Sequence, residues 1–475
     1  MAVKCGGRGP GHSNRRPKKA GAVAPVLTTL PTVTTSPNLV GGAYKAVSGY
    51  SGALIRIVNS TNTASQDISA GADGYVDTAA ILAFYGGGSI DGIKIDIVYD
   101  QTGNGNNLTQ TTDASRPVLS LGVNGKPAIT FTETQGMAIP AGYTMTSQAL
   151  SFFMLGRYCR GAIFQSNTSA TSIFQQATTI GLRLAFGNTT RTVSTNHYQN
   201  RAVTHLSSSA AALKIGQDGT LTATAAAASA TTLTGGLLGN SSNASSQMVG
   251  EMEVFAFYPA ALSGADMGTV TTAMKSMGGA ISAKTKQLVL IEDSLTAGTG
   301  ATFNRNRTWY ITQAIGDQTL VFERGKGGRQ LSAVVSTDYT PSMATIYNAG
   351  MSKNVMAVLG GINDIVGGGA SGATLTTTFQ SFATLANATG WQWLAYDLPA
   401  YNAAEPARSD FNTWLDANYG TYASAKVDLR ASSIGGGQPS FPAYYFDAVH
   451  PNSAGYQVWA TYELNNGIKT ALGIA

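Results

Sequence analysis

One stretch of the sequence, residues 288–298, constrains the fold most strongly. It starts with four apolar residues, Leu288 to Ile291, and runs into a polar turn that contains Asp293 and Ser294. A short continuous apolar run is typical of a central parallel strand that is buried on both faces. Ligands of open α/β sheets bind at the carboxyl ends of such strands, where helix N-termini present free N–H groups. The pattern therefore predicts that Ser294 lies at the ligand-binding edge of a parallel sheet.

Three more polar blocks follow this strand along the chain. The first is glycine-rich, Gly325-Lys-Gly-Gly-Arg329, and includes Gly328. A second buried-strand pattern then ends in Asn363, and Asp447 and His450 come shortly before a helical pattern near the C-terminus. Together the blocks supply a hydroxyl, an imidazole, a carboxylate and several hydrogen-bond donors, which are the groups that acyl transfer requires.

The residue types of the first and last blocks predict a catalytic triad. A serine hydroxyl is a poor nucleophile unless a base removes its proton as it attacks. His450 is the only histidine after residue 205, and an unperturbed imidazole pKa of about 6.5 suits a base. Asp447, three residues earlier, can hold the imidazole in the correct tautomer and stabilise the imidazolium. We therefore predict Ser294 as nucleophile, His450 as base and Asp447 as its partner.

In this order the four blocks resemble those of the SGNH hydrolases, the superfamily of GDSL-type esterases and lipases. The resemblance covers residues 285–475 and implies a three-layer α/β domain with a parallel sheet. It also implies an oxyanion hole, to which Ser294 and Gly328 contribute backbone N–H groups and Asn363 its side-chain amide. Losing one such donor typically costs on the order of 100-fold or more in turnover.

Glu292 departs from the family pattern, which usually has glycine before the Asp-Ser pair. We expect its carboxylate either to turn outward or to pair with a basic residue such as Arg324 or Arg329. If it faced Ser294, its negative charge would oppose an oxyanion. This residue is the feature that favours an alternative function, a catalytically inactive virion-structural or glycan-binding protein.

Patterns elsewhere agree with a parallel sheet that has helices on both faces after residue 283. Apolar periodicity predicts helices near 309–315, 374–387 and 454–471, and a strand at 391–397. No Gly-Lys-Ser/Thr phosphate loop follows any strand, and the four histidines do not form a zinc-binding pattern. We therefore expect no cofactor and no metal.

The N-terminal residues 1–42 are predicted to be a basic, Pro/Thr-rich arm or linker. The first 20 residues carry six basic side chains and no acidic one, which leaves 24 basic and 25 acidic residues in the remainder, so the net charge of +5 arises in this arm. A solvated leader is the favoured interpretation, and nucleic-acid binding is not expected. The apolar piece at 20–27 contains Pro25 and is too short for a secretory signal. No apolar run approaches the roughly 20 residues that span a membrane.

Residues 43–282 are predicted to form an all-β sandwich. Short segments rich in Val, Ile, Phe and Thr alternate with turn signals over this region, which is typical of sandwiches. The phrases at 99–107 and 123–131 resemble the concanavalin A-like sandwich of fungal-type α-L-arabinofuranosidases. The phrase at 250–263 resembles the closing strand of laminin-G-type lectin modules. These resemblances imply a carbohydrate-binding or structural domain.

A glycosidase site in the sandwich is a second alternative. Glycosidases need two carboxylates about 5 to 9.5 Å apart, and Asp100, Glu133, Glu251 and Glu253 are the candidates. However, Asp100 lies in a turn sequence in which aspartate commonly closes the turn. Glu251 and Glu253 alternate with apolar residues, as solvent-facing strand positions do. We therefore favour a binding or structural role over catalysis for this domain.

The pairing of an SGNH domain with a lectin-like sandwich resembles bacteriophage tail fibre or tailspike enzymes. This resemblance implies a serine esterase that removes O-acetyl groups from polysaccharide at the bacterial surface. It also implies a virion-tail location, attachment to tail proteins through the N-terminal arm, and a homotrimer; secretion without a visible signal is the alternative location. An arabinofuranosidase-like activity of the sandwich is the remaining alternative.

Overall fold

The structure is a computed structural model, and it describes these residues: 27–59, 61–122, 125–131, 135–160, 163–165, 172–176, 182–186, 189–193, 201–226, 232–239, 248–278, 283–297, 299–301, 306–316, 318–435 and 441–474.

An antiparallel β-rich domain comes first along the chain. Its described strands are β1 (Leu39–Gly42), β2 (Ile55–Val58), β3 (Ser65–Ile68), β4 (Ile93–Val98), β5 (Leu108–Thr109), β6 (Val118–Leu121), β7 (Pro127–Phe131), β8 (Met137–Thr146), β9 (Ala149–Arg160), β10 (Phe164–Gln165), β11 (Ser172–Gln176), β12 (Leu182–Phe186), β13 (Thr189–Val193), β14 (Ala202–Ser209), β15 (Ala212–Gln217), β16 (Thr220–Ala226), β17 (Thr232–Leu238) and β18 (Val249–Tyr258). The described part of the domain also contains the α-helices α1 (Thr78–Tyr85) and α2 (Gly264–Ser276).

Strand β9 lies at the centre of this domain. It pairs with β14 on one side and with β18 on the other, both antiparallel. Strand β18 also pairs with β1, which places Leu39–Gly42 inside the sheet. The expected boundary at residue 43 therefore falls just after a strand that already belongs to the domain.

Helix α2 covers the outer face of the β9 and β18 strands. Its buried side chains include Met267, Val270 and Met274, and they share a hydrophobic cluster with Phe153 and Val254. Ser263 caps the helix, since its side chain accepts a hydrogen bond from the Asp266 N–H. The helix thus ends the β-rich domain with an apolar face packed onto the sheet.

The second domain is α/β and has a five-stranded parallel sheet in the order β20-β19-β21-β22-β23. Its strands are β19 (Lys286–Glu292), β20 (Thr319–Gly325), β21 (Lys353–Leu359), β22 (Gln392–Tyr396) and β23 (Ala425–Val427). The helices are α3 (Ser294–Ala297), α4 (Arg307–Ile315), α5 (Leu331–Ala333), α6 (Ile362–Val366), α7 (Gly372–Thr389), α8 (Ala407–Tyr422), α9 (Ser453–Glu463) and α10 (Lys469–Leu472). Two π-helical segments, Val334–Ala344 and Leu464–Ile468, continue α5 and α9.

The central strand β19 is the one that the sequence predicts. Leu288, Val289, Leu290 and Ile291 are all buried, because β20 and β21 flank the strand in parallel register and helices cover both faces. The predicted parallel sheet with helices on both faces is confirmed. Among the described residues, no helix has the length and apolar character needed to cross a bilayer.

A buried ion pair fixes the last long helix on the sheet. Arg307 of α4 donates to both carboxylate oxygens of Glu463 at the end of α9, at 2.6 and 2.5 Å. The Tyr396 hydroxyl donates to the same carboxylate at 2.6 Å. Both charged side chains are inaccessible to solvent, so the pair is desolvated and depends on this close geometry. It orients α9, which begins just after the predicted histidine.

Candidate active site

Ser294 lies where the sequence places it, at the carboxyl end of β19. The strand ends at Glu292, and α3 begins at Ser294. The Ser294 carbonyl accepts a 3.1 Å hydrogen bond from the Thr299 N–H, which closes the turn after the strand. The Tyr456 hydroxyl of α9 donates to the Thr299 carbonyl at 2.9 Å. The turn that carries the nucleophile is therefore anchored to the helix that follows the histidine.

The predicted triad residues meet in hydrogen-bonding geometry. His450 Nε2 lies 2.7 Å from Ser294 Oγ, and His450 Nδ1 lies 2.7 Å from Asp447 Oδ2. If Nδ1 carries the proton and donates it to the carboxylate, Nε2 is left as an acceptor for the serine proton. The two distances match the contacts that a serine nucleophile needs with its base, and a base with its orienting carboxylate.

The loop around Asp447 keeps this carboxylate ionised. Partial burial opposes the charged form, but backbone N–H donors at His450 and Val449, at 2.8 and 2.9 Å, together with the His450 side chain, outweigh it. The pKa of Asp447 therefore lies below its usual range. An ionised Asp447 can stabilise the imidazolium that forms when His450 takes the serine proton.

Asn363 connects the nucleophile turn to the glycine-rich loop. Its Nδ2 donates to Asp293 Oδ2 at 3.0 Å and to the Arg329 carbonyl at 3.1 Å. An amide nitrogen carries two hydrogens, so both are directed to protein oxygens in this structure. Donation to an oxyanion therefore requires one of these hydrogen bonds to be shared or exchanged.

Gly328 lies in the loop that follows β20, at the same carboxyl edge of the sheet as Ser294. It has φ of 71°, in the left-handed region that favours glycine. Arg329 holds the loop: it donates to Asp338 Oδ2 at 2.6 Å and to the Arg324 carbonyl at 2.6 Å. The structure thus brings the glycine loop, Asn363 and the Ser294 turn to one edge, while the role of each group as an oxyanion donor stays a prediction.

Two carboxylates for which the sequence predicts no role organise this edge. Asp293 is buried and accepts from the Leu295 N–H at 2.9 Å; burial raises its pKa to about 6, although that hydrogen bond and nearby His450 oppose the shift. Asp364 accepts from the Leu331 and Ser332 N–H groups at the start of α5, at 2.6 and 3.0 Å. The sequence feature that could have identified them is their position directly beside Ser294 and Asn363.

The expected orientation of the Glu292 carboxylate stays a prediction, since the structure describes only the backbone of this residue. Of the two basic residues considered as its partners, Arg329 pairs with Asp338. Arg324 is buried, and this desolvation, together with repulsion from Arg329, lowers its pKa to about 10.

The three glycosidase candidates that the structure describes do not form an open pair of carboxylates. Asp100 is buried and accepts hydrogen bonds from several backbone N–H groups of its own turn and of Val40. The prediction that Glu251 and Glu253 face solvent is wrong, since both are buried. Glu133 lies outside the described residues.

Glu251 and Glu253 are both covered by other parts of the fold. Arg201 donates to both oxygens of Glu253 at 2.7 and 3.0 Å, and it also reaches the Met277 carbonyl at 2.6 Å. Glu251 accepts a 2.7 Å hydrogen bond from the indole N–H of Trp309, which belongs to the α/β domain. Contacts with distant segments, invisible in the alternation pattern, bury the two carboxylates.

No group of three or more His, Cys, Asp or Glu side chains suited to a metal occurs within the described ranges.

Comparison with known proteins agrees with this geometry. Residues 293–458 match the model of the GDSL-like Lipase/Acylhydrolase family. The C-terminal domain is a GDSL-type hydrolase domain. The matched segment contains the three triad residues Ser294, Asp447 and His450, and the prediction of a GDSL/SGNH hydrolase domain is confirmed.

Solved structures similar to the chain include hydrolases of two kinds. A GH54 α-L-arabinofuranosidase soaked with a cyclic sulfate inhibitor shares 17% identity, with a TM-score of 0.42, over 51% of this chain and 63% of that one. The chain thus spans less than two thirds of that structure, which the N-terminal β-rich domain resembles.

Two smaller structures resemble the GDSL domain. A carbohydrate esterase family 3 structure from Talaromyces cellulolyticus shares 15% identity over 40% of this chain and 100% of that one, with a TM-score of 0.33. A member of the lipolytic protein G-D-S-L family from Veillonella parvula DSM 2008 shares 14% identity over 38% and 97%, with a TM-score of 0.32. No curated protein sequence matches the chain.

Proposed function

We propose that this protein is a serine esterase that removes O-acetyl groups from carbohydrate. The observation that carries the proposal is the hydrogen-bonded series Ser294–His450–Asp447, with 2.7 Å at each step. The match of the C-terminal domain to an acylhydrolase family supports the reaction class. The assembled triad disfavours the alternative of a domain that has lost its chemistry.

The reaction proceeds in two acyl transfers. His450 Nε2 takes the hydroxyl proton as Ser294 Oγ attacks the ester carbonyl, and Asp447 stabilises the resulting imidazolium. His450 then gives that proton to the departing sugar oxygen, which leaves an acetyl ester on Ser294. In the second half, His450 activates a water that attacks this ester, and acetate leaves as the proton returns to Ser294 Oγ.

The choice of an acetyl ester of a sugar rests on the resemblance of the chain to tailspike deacetylases and on its β-rich neighbouring domain.

Further parts of the proposal rest on sequence resemblance alone. We propose that the β-rich domain is a concanavalin A-like sandwich that binds glycan or serves as a structural support. We also propose a virion-tail location, with attachment to tail proteins through residues 1–42 and a homotrimeric assembly. Sedimentation that shows a monomer would argue against the virion assignment.

Hydrolysis of p-nitrophenyl acetate and p-nitrophenyl octanoate by the wild type and by Ser294→Ala tests the reaction. Acetate release from acetylated polysaccharides, measured in parallel, tests the substrate class. We expect turnover of acetyl but not octanoyl esters, and loss of turnover in the variant. Wild type that binds glycan without hydrolysing any ester would instead indicate a binding protein. Arabinose release that persists in Ser294→Ala would indicate the glycosidase alternative.

A further inference from the structure

An open groove runs along the exposed side of α9, beside the loop that carries Asp447 and His450. Its volume is about 710 Å³, which lies within the range of small-molecule sites. The helical residues of its lining are spaced three and four positions apart, as on a single helix face. They are Ala454, Gln457, Val458, Thr461, Tyr462, Asn465 and Asn466. Tyr444 and Ser433 from neighbouring loops form the opposite wall. We call this surface the α9 groove.

The lining of the α9 groove combines aromatic rings with uncharged polar groups. Tyr444 and Tyr462 offer apolar ring surface with a hydroxyl at the rim, and Gln457 and Asn465 offer amides that both donate and accept hydrogen bonds. The apolar C–H faces of sugar rings pack on aromatic rings, and sugar hydroxyls pair with amides and hydroxyls. No lining residue is charged, so a charged ligand would find no counter-ion there.

These polar groups are available to a ligand. The amides of Gln457 and Asn465 and the hydroxyls of Tyr444 and Tyr462 have no hydrogen-bond partner among the described residues. Gln457 and Asn465 are exposed, and Tyr444 is 37% exposed, so none of the three is needed to fill the core. A row of uncommitted donors and acceptors on one helix face can therefore bind an elongated polar ligand without breaking internal hydrogen bonds.

The loop that forms one wall of the groove also carries the triad. The Tyr444 carbonyl accepts from the Asn452 N–H at 2.9 Å, and the Phe446 N–H donates to the His450 carbonyl at 2.8 Å. Phe446, which directly precedes Asp447, is 67% exposed. Two exposed aromatic side chains thus stand on the catalytic loop, one in the groove and one beside the triad.

From these observations we propose that the α9 groove binds an uncharged oligosaccharide, namely the sugar residues next to the one whose ester is cleaved at Ser294. This inference rests on the proposed carbohydrate esterase function and specifies its substrate as a neutral chain. The groove extends from Ala454 to Asn465, about 16 Å at the roughly 1.5 Å rise per residue of a helix. A chain of several sugars is therefore the matching ligand, and a single acetylated sugar would leave most of the groove empty.

The test compares acetate release from partially acetylated hexasaccharides of xylose, glucose and mannose with release from the corresponding acetylated monosaccharides. We expect kcat/KM to be at least 10-fold higher for one of the hexasaccharides, and no such gain with acetylated hexagalacturonate, which is anionic. Tyr462→Ala and Gln457→Ala are expected to reduce this gain 10-fold or more, mainly through KM. Tyr419→Ala, which removes a tyrosine of α8 that is 37% exposed and does not line the groove, is the control and should keep the gain.

The outcomes separate this inference from the proposed function. Equal kcat/KM for all hexasaccharides and monosaccharides would overturn the proposal that the groove binds oligosaccharide, and so would a gain that survives both groove substitutions. Either result would leave the proposed esterase function intact. If the wild type hydrolyses p-nitrophenyl acetate but no sugar ester, the proposal that the substrate is a carbohydrate ester is wrong.

Calorimetric titration of the full-length Ser294→Ala protein with the three unacetylated hexasaccharides then tests the groove by itself. The absence of binding heat would overturn the proposal that the groove binds oligosaccharide. Binding that is lost when Tyr462→Ala is added would support it. Self-association lost in Tyr462→Ala without any change in sugar kinetics would make the groove a protein interface.

Discussion

The Asn363 side-chain amide donates a 3.0 Å hydrogen bond to Asp293, the buried carboxylate that directly precedes the nucleophile. This contact joins the end of β19 to the end of β21, and the second amide hydrogen joins both to the Arg329 carbonyl. The three loops that form the edge of the site are thus held by one side chain. Its removal would affect both the position of Ser294 and the donors available to an oxyanion.

Asn363→Ala is expected to lower kcat on p-nitrophenyl acetate by about 10²- to 10³-fold, the usual effect of losing one oxyanion donor. KM should change much less, because the donor acts mainly in the transition state. Steady-state kinetics of the purified variant measures both constants. Asn418→Ala, which removes an asparagine side chain from the surface of α8, is the control. An unchanged kcat would exclude Asn363 from the oxyanion hole and leave it only the loop contacts.

Asp293 is expected to make stability depend on pH between about 4 and 6. Burial raises its pKa from 3.8 in the unfolded chain to about 6 in the folded protein, so the folded state binds the proton more tightly. The free energy of unfolding therefore falls as pH rises through this window, by up to about 3 kcal/mol for a shift of this size.

Asp293→Asn removes this titration while keeping the shape of the side chain. Urea unfolding of both proteins at pH 4, 5, 6 and 7 gives the comparison, and the wild type should lose stability relative to the variant as pH rises from 4 to 6. Carboxylates that do not interact with Asp293 titrate equally in both proteins and cancel in the difference. Parallel stability curves would show that Asp293 has an ordinary pKa.

Asp447→Asn is expected to reduce kcat by about 10³- to 10⁴-fold while leaving the fold intact. The asparagine oxygen can still accept the backbone N–H groups of Val449 and His450. Its NH₂ group would then face Nδ1, which forces the proton onto Nε2 and removes the acceptor for the Ser294 proton. Kinetics on p-nitrophenyl acetate, with circular dichroism as a check of folding, measures the effect. Asp410→Asn, an exposed carboxylate of α8, should be fully active, and similar kcat values for the two variants would remove Asp447 from the mechanism.

The triad could be predicted from the sequence because each of its residues follows a local pattern. Ser294 ends a four-residue apolar run, and Asp447 and His450 lie three residues apart before a helix. Parallel strands end at a common edge, so the topology brings these blocks together without any further information. The Asn363 hydrogen bonds were not predictable, since they depend on how three loops pack against one another.

The parts that could not be predicted depend on contacts between residues far apart in the sequence. The segment Leu39–Gly42 reads as linker, yet it pairs with Phe257 to Val254 at the other end of the domain. The burial of Glu251 could not be predicted from local sequence either, because the residue that covers it belongs to the next domain. Alternation within a strand reports which residues share a face, but what covers that face is decided elsewhere in the chain.

The indole N–H of Trp309 donates to Glu251 across the junction of the two domains. Glu251 is 5% exposed, and a buried carboxylate that loses a donor is destabilised by about 1 to 3 kcal/mol. Trp309→Phe should therefore lower the unfolding free energy of the β-rich domain by this amount, measured by urea titration of the whole chain. Trp414→Phe is the matched control, since the Trp414 indole N–H has no hydrogen-bond partner among the described residues. Equal losses in the two variants would mean that ring packing, and not the hydrogen bond to Glu251, accounts for the effect at the junction.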